Sequence, residues 1–303
     1  MKILLKILLP IFAFNISPVK GQDKCQCCTY YSIDKEDLYS FFFDKNIIRK
    51  NHFKKATIYT VETTNQNVLK FLQTKFIFDE WGNVLSKYEF SQNGNPHIIK
   101  EFSRNNIGQV IKTSRSYLQS DSPLIVDYTD EIVDFTYNQR KKLIKEKERG
   151  FDGAIIPDSQ SSYSKYEYDV KDRLIKRYRY SNLSGEIYIY DETIEYPKQN
   201  ESIGIVKYNG NNWLMTNSMF NDKSQLIGQT DYDYPDNNVM WKSSYTYIDN
   251  KLIGQVMKNG TGSTQCANNN NFTESYSYNQ LGLLEKIIHK YDKVTCEMKI
   301  NYE

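Results

Sequence analysis

The sequence predicts an all-β protein: an antiparallel meander of tandem β-hairpin repeats forming a curled or two-layered ribbon. Three observations lead there. Aromatic residues make up 14% of the 303 residues, with 25 Tyr and 15 Phe beside only 14 Gly and 7 Pro. Rings in that number suit half-buried pleated surfaces, where they pack across strands, rather than a helical bundle. Apolar and polar residues alternate with period two over short runs, and one hairpin template recurs along the chain.

Four segments carry the template most fully. They are Phe76-Ile77-Phe78-Asp79 to Gly82-Asn83-Val84-Leu85 and Phe135-Thr136-Tyr137-Asn138 to Lys141-Lys142-Leu143-Ile144. The other two are Tyr166-Glu167-Tyr168-Asp169 to Asp172-Arg173-Leu174-Ile175 and Tyr276-Ser277-Tyr278-Asn279 to Gly282-Leu283-Leu284-Glu285. Weaker copies run Phe102 to Ile111, Ser218 to Ile227 and Tyr245 to Ile253, with a partial copy at Tyr188-Ile189-Tyr190-Asp191. The second-aromatic slots are residues 78, 104, 137, 168, 190, 220, 247 and 278, with Arg104 filling one of them.

Each position has a physical job. Aromatics at i and i+2 share one face of a strand. The Asp or Asn that follows bonds its own backbone around the bend, and Gly82, Gly108 and Gly282 supply positive φ. The aliphatic pair restarts the return strand. Beyond it, Val84, Tyr88 and Phe90, or Leu174, Tyr178 and Tyr180, read as the apolar face, and Lys87, Glu89, Arg177 and Arg179 as the wet one.

The segment Tyr166-Glu167-Tyr168-Asp169-Val170-Lys171-Asp172-Arg173-Leu174 resembles the tyrosine-aspartate (YD, or Rhs-type) repeat, and Phe78-Asp79-Glu80-Trp81-Gly82-Asn83-Val84 keeps that motif's glycine. The resemblance covers about residues 70–302. It implies tandem hairpins wound into a β ribbon, of the kind that encloses toxins or builds extracellular adhesion proteins, and carbohydrate binding has been attributed to such repeats. The chain has about eight units, no core region ending in a self-cleavage motif and no distinct C-terminal toxin. Those departures count against a closed cage and against toxin delivery.

The expected organisation is a signal peptide at 1–21, a cysteine-containing segment at 22–55 and the repeat domain at 56–303. Lys2 and Lys6 precede a mostly apolar stretch from Ile7 to Ile16, and Val19 and Gly21 are small enough for a cleavage site before Gln22. The stretch is too short to span a bilayer, and no later run approaches 18 apolar residues, so no membrane span is expected. The residues before Cys25 do not form the small-residue box of a lipid anchor. Within 22–55, Ile33 to Phe43 reads as a short helix capped by Ser32. From Ala56 onward, 14–18 short strands are expected, with longer loops near 150–159 and 266–271.

Without its first 21 residues the chain carries 36 basic and 37 acidic residues. That balance excludes a protein built on phosphate contacts, so nucleic acid is not an expected partner. The basic run from Arg140 to Arg149 is interleaved with Glu146 and Glu148 and reads as a solvated strand face. Export makes disulfides expected among the five cysteines, Cys266 with Cys296 above all. Cys25, Cys27 and Cys28 crowd too closely for easy pairing with one another, and they lack a second ligand cluster for a metal.

Residue patterns that carry chemistry are nearly absent from the sequence. No nucleophile elbow, phosphate loop, dinucleotide fingerprint or zinc-protease motif is present. His52, His97 and His289 are isolated. Asp231, Asp233, Asp236, Asn237 and Asn238 outline a calcium loop, but Pro235 takes a ligand slot and no glutamate follows at the required distance, so a turn between strands is expected. Asp127, Asp130, Glu131 and Asp134 read as acids bordering a strand rather than as a glycosidase pair. No cofactor and no catalysis are expected. The expected function is an exported, non-enzymatic scaffold or binding protein, periplasmic, cell-surface or extracellular, whose partner is a protein or a cell-surface polysaccharide. Trp81, Trp213 and Trp241 lie at or near turns and are the candidates for stacking on sugar faces.

Overall fold

In the computed structural model the described residues are 43–303, except 64–67, 92–93, 120–124, 150–161, 184–185, 234–235, 260–270 and 292–293. One short helix, α1 (Lys45–Lys50), precedes eighteen strands. The first nine are β1 (Lys55–Thr63), β2 (Val68–Phe78), β3 (Val84–Phe90), β4 (Pro96–Arg104), β5 (Val110–Leu118), β6 (Val126–Tyr137), β7 (Leu143–Arg149), β8 (Tyr163–Tyr168) and β9 (Leu174–Leu183). The rest are β10 (Glu186–Lys198), β11 (Glu201–Tyr208), β12 (Asn211–Phe220), β13 (Leu226–Asp233), β14 (Val239–Ile248), β15 (Lys251–Asn259), β16 (Phe272–Tyr278), β17 (Leu284–Tyr291) and β18 (Val294–Tyr302).

Every strand pairs antiparallel with its chain neighbours, and β18 returns to pair with β1 from Ala56↔Tyr302 to Val61↔Glu297. The seam is finished by backbone bonds between Lys55 and Glu303 and by an ion pair between their side chains at 2.7 Å. The sheet is therefore a closed up-and-down barrel. This corrects the expected open or two-layered ribbon: closure satisfies both edge strands at once, and a local repeat carries no signal for it. The expected helix at 33–43 and the two long loops lie almost wholly outside the described residues. The helix that is described begins two residues after that stretch ends, with the Asp44 carboxylate accepting from the Asn46 and Ile47 amides.

Seven template turns and the β10–β11 turn all lie at one end of the barrel, here the turn end. At six of them an Asp or Asn side chain (79, 105, 138, 169, 221, 279) accepts from backbone amides two or four residues on. The residue three places after it has positive φ: Gly82 (78°), Gly108 (81°) and Gly282 (84°), but also Lys141, Asp172 and Ser224. In these units the return strand starts with a bulge, as between Ile77/Phe78 and Val84, or Glu167/Tyr168 and Leu174. The partial copy at Tyr188–Asp191 is not a turn. Those residues run through the middle of β10, and the hairpin bends after Tyr196 instead.

The bulge also decides which side faces in. Phe76, Phe78, Val84 and Leu284 point inward, joining Ile58, Ile287, Met298 and Ile300 in a buried cluster at the turn end. One residue of slip in the bulge then moves the next alternation to the other face. Lys87 and Glu89, and Arg177 and Arg179, therefore line the interior, and Tyr88, Tyr178 and Tyr180 lie outside. That reverses the expected assignment of wet and apolar faces.

Helix α1 seats over the turn end beside β2–β3 and β16–β17. Phe43 meets Phe76, Phe78 and Tyr302 edge-on at 5.0–6.1 Å, and Ile48 is fully buried. Eighteen strands at about 4.8 Å spacing make a wall of about 86 Å measured across the strands, in the size class that leaves a lumen. Arg179, on the inner face, is exposed, so solvent reaches the lumen there.

Candidate functional site

Inside the wall, tyrosines near the turn end form a ladder, three of them (Tyr137, Tyr168 and Tyr278) in second-aromatic slots. Tyr137, Tyr168, Tyr196, Tyr278 and Tyr302 each donate a hydroxyl to a carbonyl at the start of a neighbouring return strand: Val110, Leu143, Leu174, Leu252 and Leu284, at 2.7–2.9 Å. Each such carbonyl lies beside the bulge of its hairpin, and the tyrosine one hairpin along donates to it. Arg104, in the slot where an aromatic was expected, does the same job, reaching the Val84 carbonyl at 3.3 Å. Burial pushes the Tyr196 and Tyr278 hydroxyls up to about 12, so both stay protonated donors.

Above this layer the interior turns polar. Arg177 pairs with Glu192 across β9–β10 at 2.8 Å. Glu192 leans over Gly204, where an added Cβ would stand 3.2 Å from its Oε1, so the glycine makes the room it occupies. Next along the wall, Asp231 is 2% exposed and accepts from Thr216 Oγ1 at 2.7 Å and from Gln229 Nε2 at 3.0 Å. Desolvation holds both carboxyls above the ordinary carboxylate range, against the opposing pull of Arg177 on Glu192 and of the Thr216, Gln229 and Trp241 donors on Asp231. A second group joins Glu274, Tyr276 and His289. His289 Nδ1 lies 2.9 Å from one Glu274 oxygen, and the Tyr276 hydroxyl bonds the other. Among the described residues no group of three or more His, Cys, Asp or Glu is placed to hold a metal ion.

The three predicted tryptophans are not brought into one row. Trp81 is 55% exposed at the β2–β3 turn, with the Arg49 guanidinium 4.6 Å from its ring. Trp213 is 40% exposed and packs beside Tyr190 and Tyr208, at 6.4 and 6.3 Å. Trp241 is 7% exposed on the inner wall opposite Asp231. Cys296 is buried on the inner face of β18 opposite His289; Cys266, Cys25, Cys27 and Cys28 lie outside the described residues. On β6, Glu131 faces Arg115 across the inner wall while Asp134 pairs with Arg149 outside, so these acids sit on opposite faces. Asp233 and Asn237–Asn238 flank the connection of β13 to β14, where the Asn237 amide donates to the Asp233 carbonyl and the Asp233 amide to the Asn238 carbonyl, as expected of a turn between strands.

One aromatic group escaped the sequence reading. On the outer face of β8 and β9, Tyr163 stacks on Tyr180 at 5.3 Å and 19°, and lies 6.0 Å from Tyr178. With Lys165, Glu167 and Lys176, Tyr163 and Tyr178 line a shallow groove of about 270 Å³. The spacing Tyr163, Tyr178, Tyr180 is visible in the sequence, but which face it occupies depends on the bulges.

The sequence matches no protein-family model and no curated protein. Solved structures share aspects of the shape. A porin-like protein from Bacteroides uniformis is 9% identical with a TM-score of 0.40, over 83% of this chain and 98% of that one. A porin-like protein from Bacteroides vulgatus is 9% identical at 0.36, over 83% and 98%. The TcdB2-TccC3-Cdc42 complex is 14% identical at 0.30, over 78% of this chain and 14% of that one, so the chain spans a small part of that protein's length. Likeness at this level assigns no function, and the barrel's own surfaces decide what it can do.

Proposed function

We propose that this chain is an exported, water-surrounded β-barrel acting as a non-enzymatic binding scaffold at the cell envelope or outside the cell. The outer wall carries this reading. A lipid-facing barrel presents an apolar band about 25 Å tall, and a lysine at the bilayer midplane costs about 2–4 kcal/mol. Here the outward positions well inside the strands include Lys75, Glu101, Asp134, Lys147, Lys165, Lys176, Asp191, Lys242, Lys290 and Glu297. Charge interrupts the band on more than half of the strands, whereas the buried apolar cluster lies within, at the turn end. The basic, apolar stretch of the first 21 residues supports export.

The test is to prepare residues 22–303 without detergent and follow sedimentation and flotation with phosphatidylethanolamine/phosphatidylglycerol vesicles. A monodisperse protein that stays with the aqueous phase is expected. Recovery only in detergent, or stable co-flotation, would overturn the reading.

A second reading, carbohydrate binding through exposed rings, is favoured by Trp213 beside Tyr190 and Tyr208. Titrating a polysaccharide panel against Trp fluorescence tests it, with Trp213→Ala expected to abolish any saturable signal.

A further inference from the structure

We propose that the outer face of β7–β9 is a binding site for an acidic polysaccharide, one bearing carboxylate or sulfate groups on its sugar rings. The inference rests on the scaffold reading only in assuming a chain that acts by binding in water.

The groove's aromatic wall is Tyr163 with Tyr178, and Tyr180 stacks behind Tyr163. Two lysines flank it. Lys145 and Lys165 occupy directly opposed positions on β7 and β8, and their ammonium groups stand 5.8 and 5.3 Å from the Tyr163 ring centre. Like charges directly opposite one another destabilise a strand pair, and neither lysine makes an ion pair among the described residues. Lys176 in the same groove is held at 3.5 Å from Asp191, and Glu167 stands exposed beside it. The groove thus offers an apolar ring edge, two uncompensated ammonium groups and a carboxylate able to accept a hydroxyl. A pyranose needs the ring and the acceptor, and an anionic substituent on it needs the ammonium pair. The volume is close to that of the smaller ligand pockets, about 300 Å³, and suits one or two sugar units of a longer chain. A neutral sugar would leave the lysine pair opposed and unneutralised.

The opposed pair Lys242 and Lys258 on β14–β15 supplies an internal control, since among the described residues no ring lies under either ammonium group. Calorimetric titration of the full barrel would use polygalacturonate and its carboxyl-reduced, neutral form. The acid polymer is expected to bind saturably, and the neutral one about tenfold or more weakly, with binding weakening as salt rises. Lys145→Gln/Lys165→Gln should lose about tenfold or more of that affinity, while raising the unfolding midpoint by removing the repulsion. Lys242→Gln/Lys258→Gln should leave affinity unchanged, and Tyr163→Leu should lose binding with the lysines intact. Equal binding of both polymers, no binding of either, preferential binding of single-stranded DNA, or an affinity insensitive to Lys145 and Lys165 would each overturn the proposal. The scaffold reading stands or falls separately on vesicle flotation, so the two failures are distinguishable.

Discussion

Replacing Gly82 by alanine and comparing it with the same change at Gly108 isolates what α1 contributes to the barrel. The two glycines hold the same place in two template turns and nearly the same backbone, φ 78° and 81°. A side chain in that left-handed region costs about 1–2 kcal/mol, and Lys141, Asp172 and Ser224 adopt it at equivalent turns. A Cβ at Gly108 meets nothing within 4 Å, so the strain is the whole cost there. A Cβ at Gly82 would stand 2.2 Å from the Lys45 carbonyl oxygen and 3.1 Å from the Arg49 amide, both backbone atoms of α1. The helix must move, uncovering some of Ile48 and Phe43, which are 0% and 5% exposed. Full burial of such side chains is worth roughly 1.5–3 kcal/mol each. Gly82→Ala is therefore expected to cost about 3–6 kcal/mol and Gly108→Ala about 1–2 kcal/mol, read from urea unfolding with unchanged m. Equal losses at the two sites would refute the idea that α1 is clamped onto the turn end.

Three further outcomes concern the tyrosine ladder, one turn and the buried carboxyls. Tyr278→Phe leaves the Leu252 carbonyl without its donor and is expected to cost about 1–3 kcal/mol; Tyr59→Phe, on the outer face, should cost less than about 0.5 kcal/mol in the same urea assay. Asn279→Ala removes the side chain that binds the Leu281 and Leu283 amides, and a loss of about 1 kcal/mol measured by thermal unfolding is expected; no loss would show that the positive-φ glycine alone holds the bend. Glu192 and Asp231 have carboxyl pKa values raised by burial, so the native state binds their protons more tightly than the unfolded chain does. Their contribution to stability is present below the ordinary carboxylate range and is lost as pH rises through the raised native values. Asp231→Asn should flatten that part of a pH series of unfolding midpoints, and an unchanged slope would remove Asp231 as its source.

The hairpins were legible because they are local. The Asx residue at 79, 138, 169 or 279 and the positive-φ position three residues on act within one turn, and the structure places both as the spacing requires. The Tyr196 ladder position was missed because the preceding Tyr-x-Tyr-Asp at 188–191 matches the template better, although it falls in mid-strand. What separates them is the strand pairing of β10 with β9 and β11. The reversed faces at Tyr88 and Tyr178 have a similar origin. One bulged residue shifts the period-two alternation, and a bulge depends on the partner strand as much as on its own sequence. Glu192 and Asp231 are 39 residues apart by number and converge on one inner wall only because β11 and β12 set Gly204 and Thr216 between them.

By itself the sequence determined an all-β chain of about eight hairpins and, at all of them but the one between β10 and β11, where the chain bends and which residues carry the bend, since these are contacts among residues a few positions apart. Only the tertiary structure decided that β18 meets β1, which faces point into the lumen, and that Tyr163, Tyr178 and the two lysines share one outer groove. Those outcomes turn on pairing across long stretches of chain and on the slip each bulge adds, and both are set when the whole wall closes.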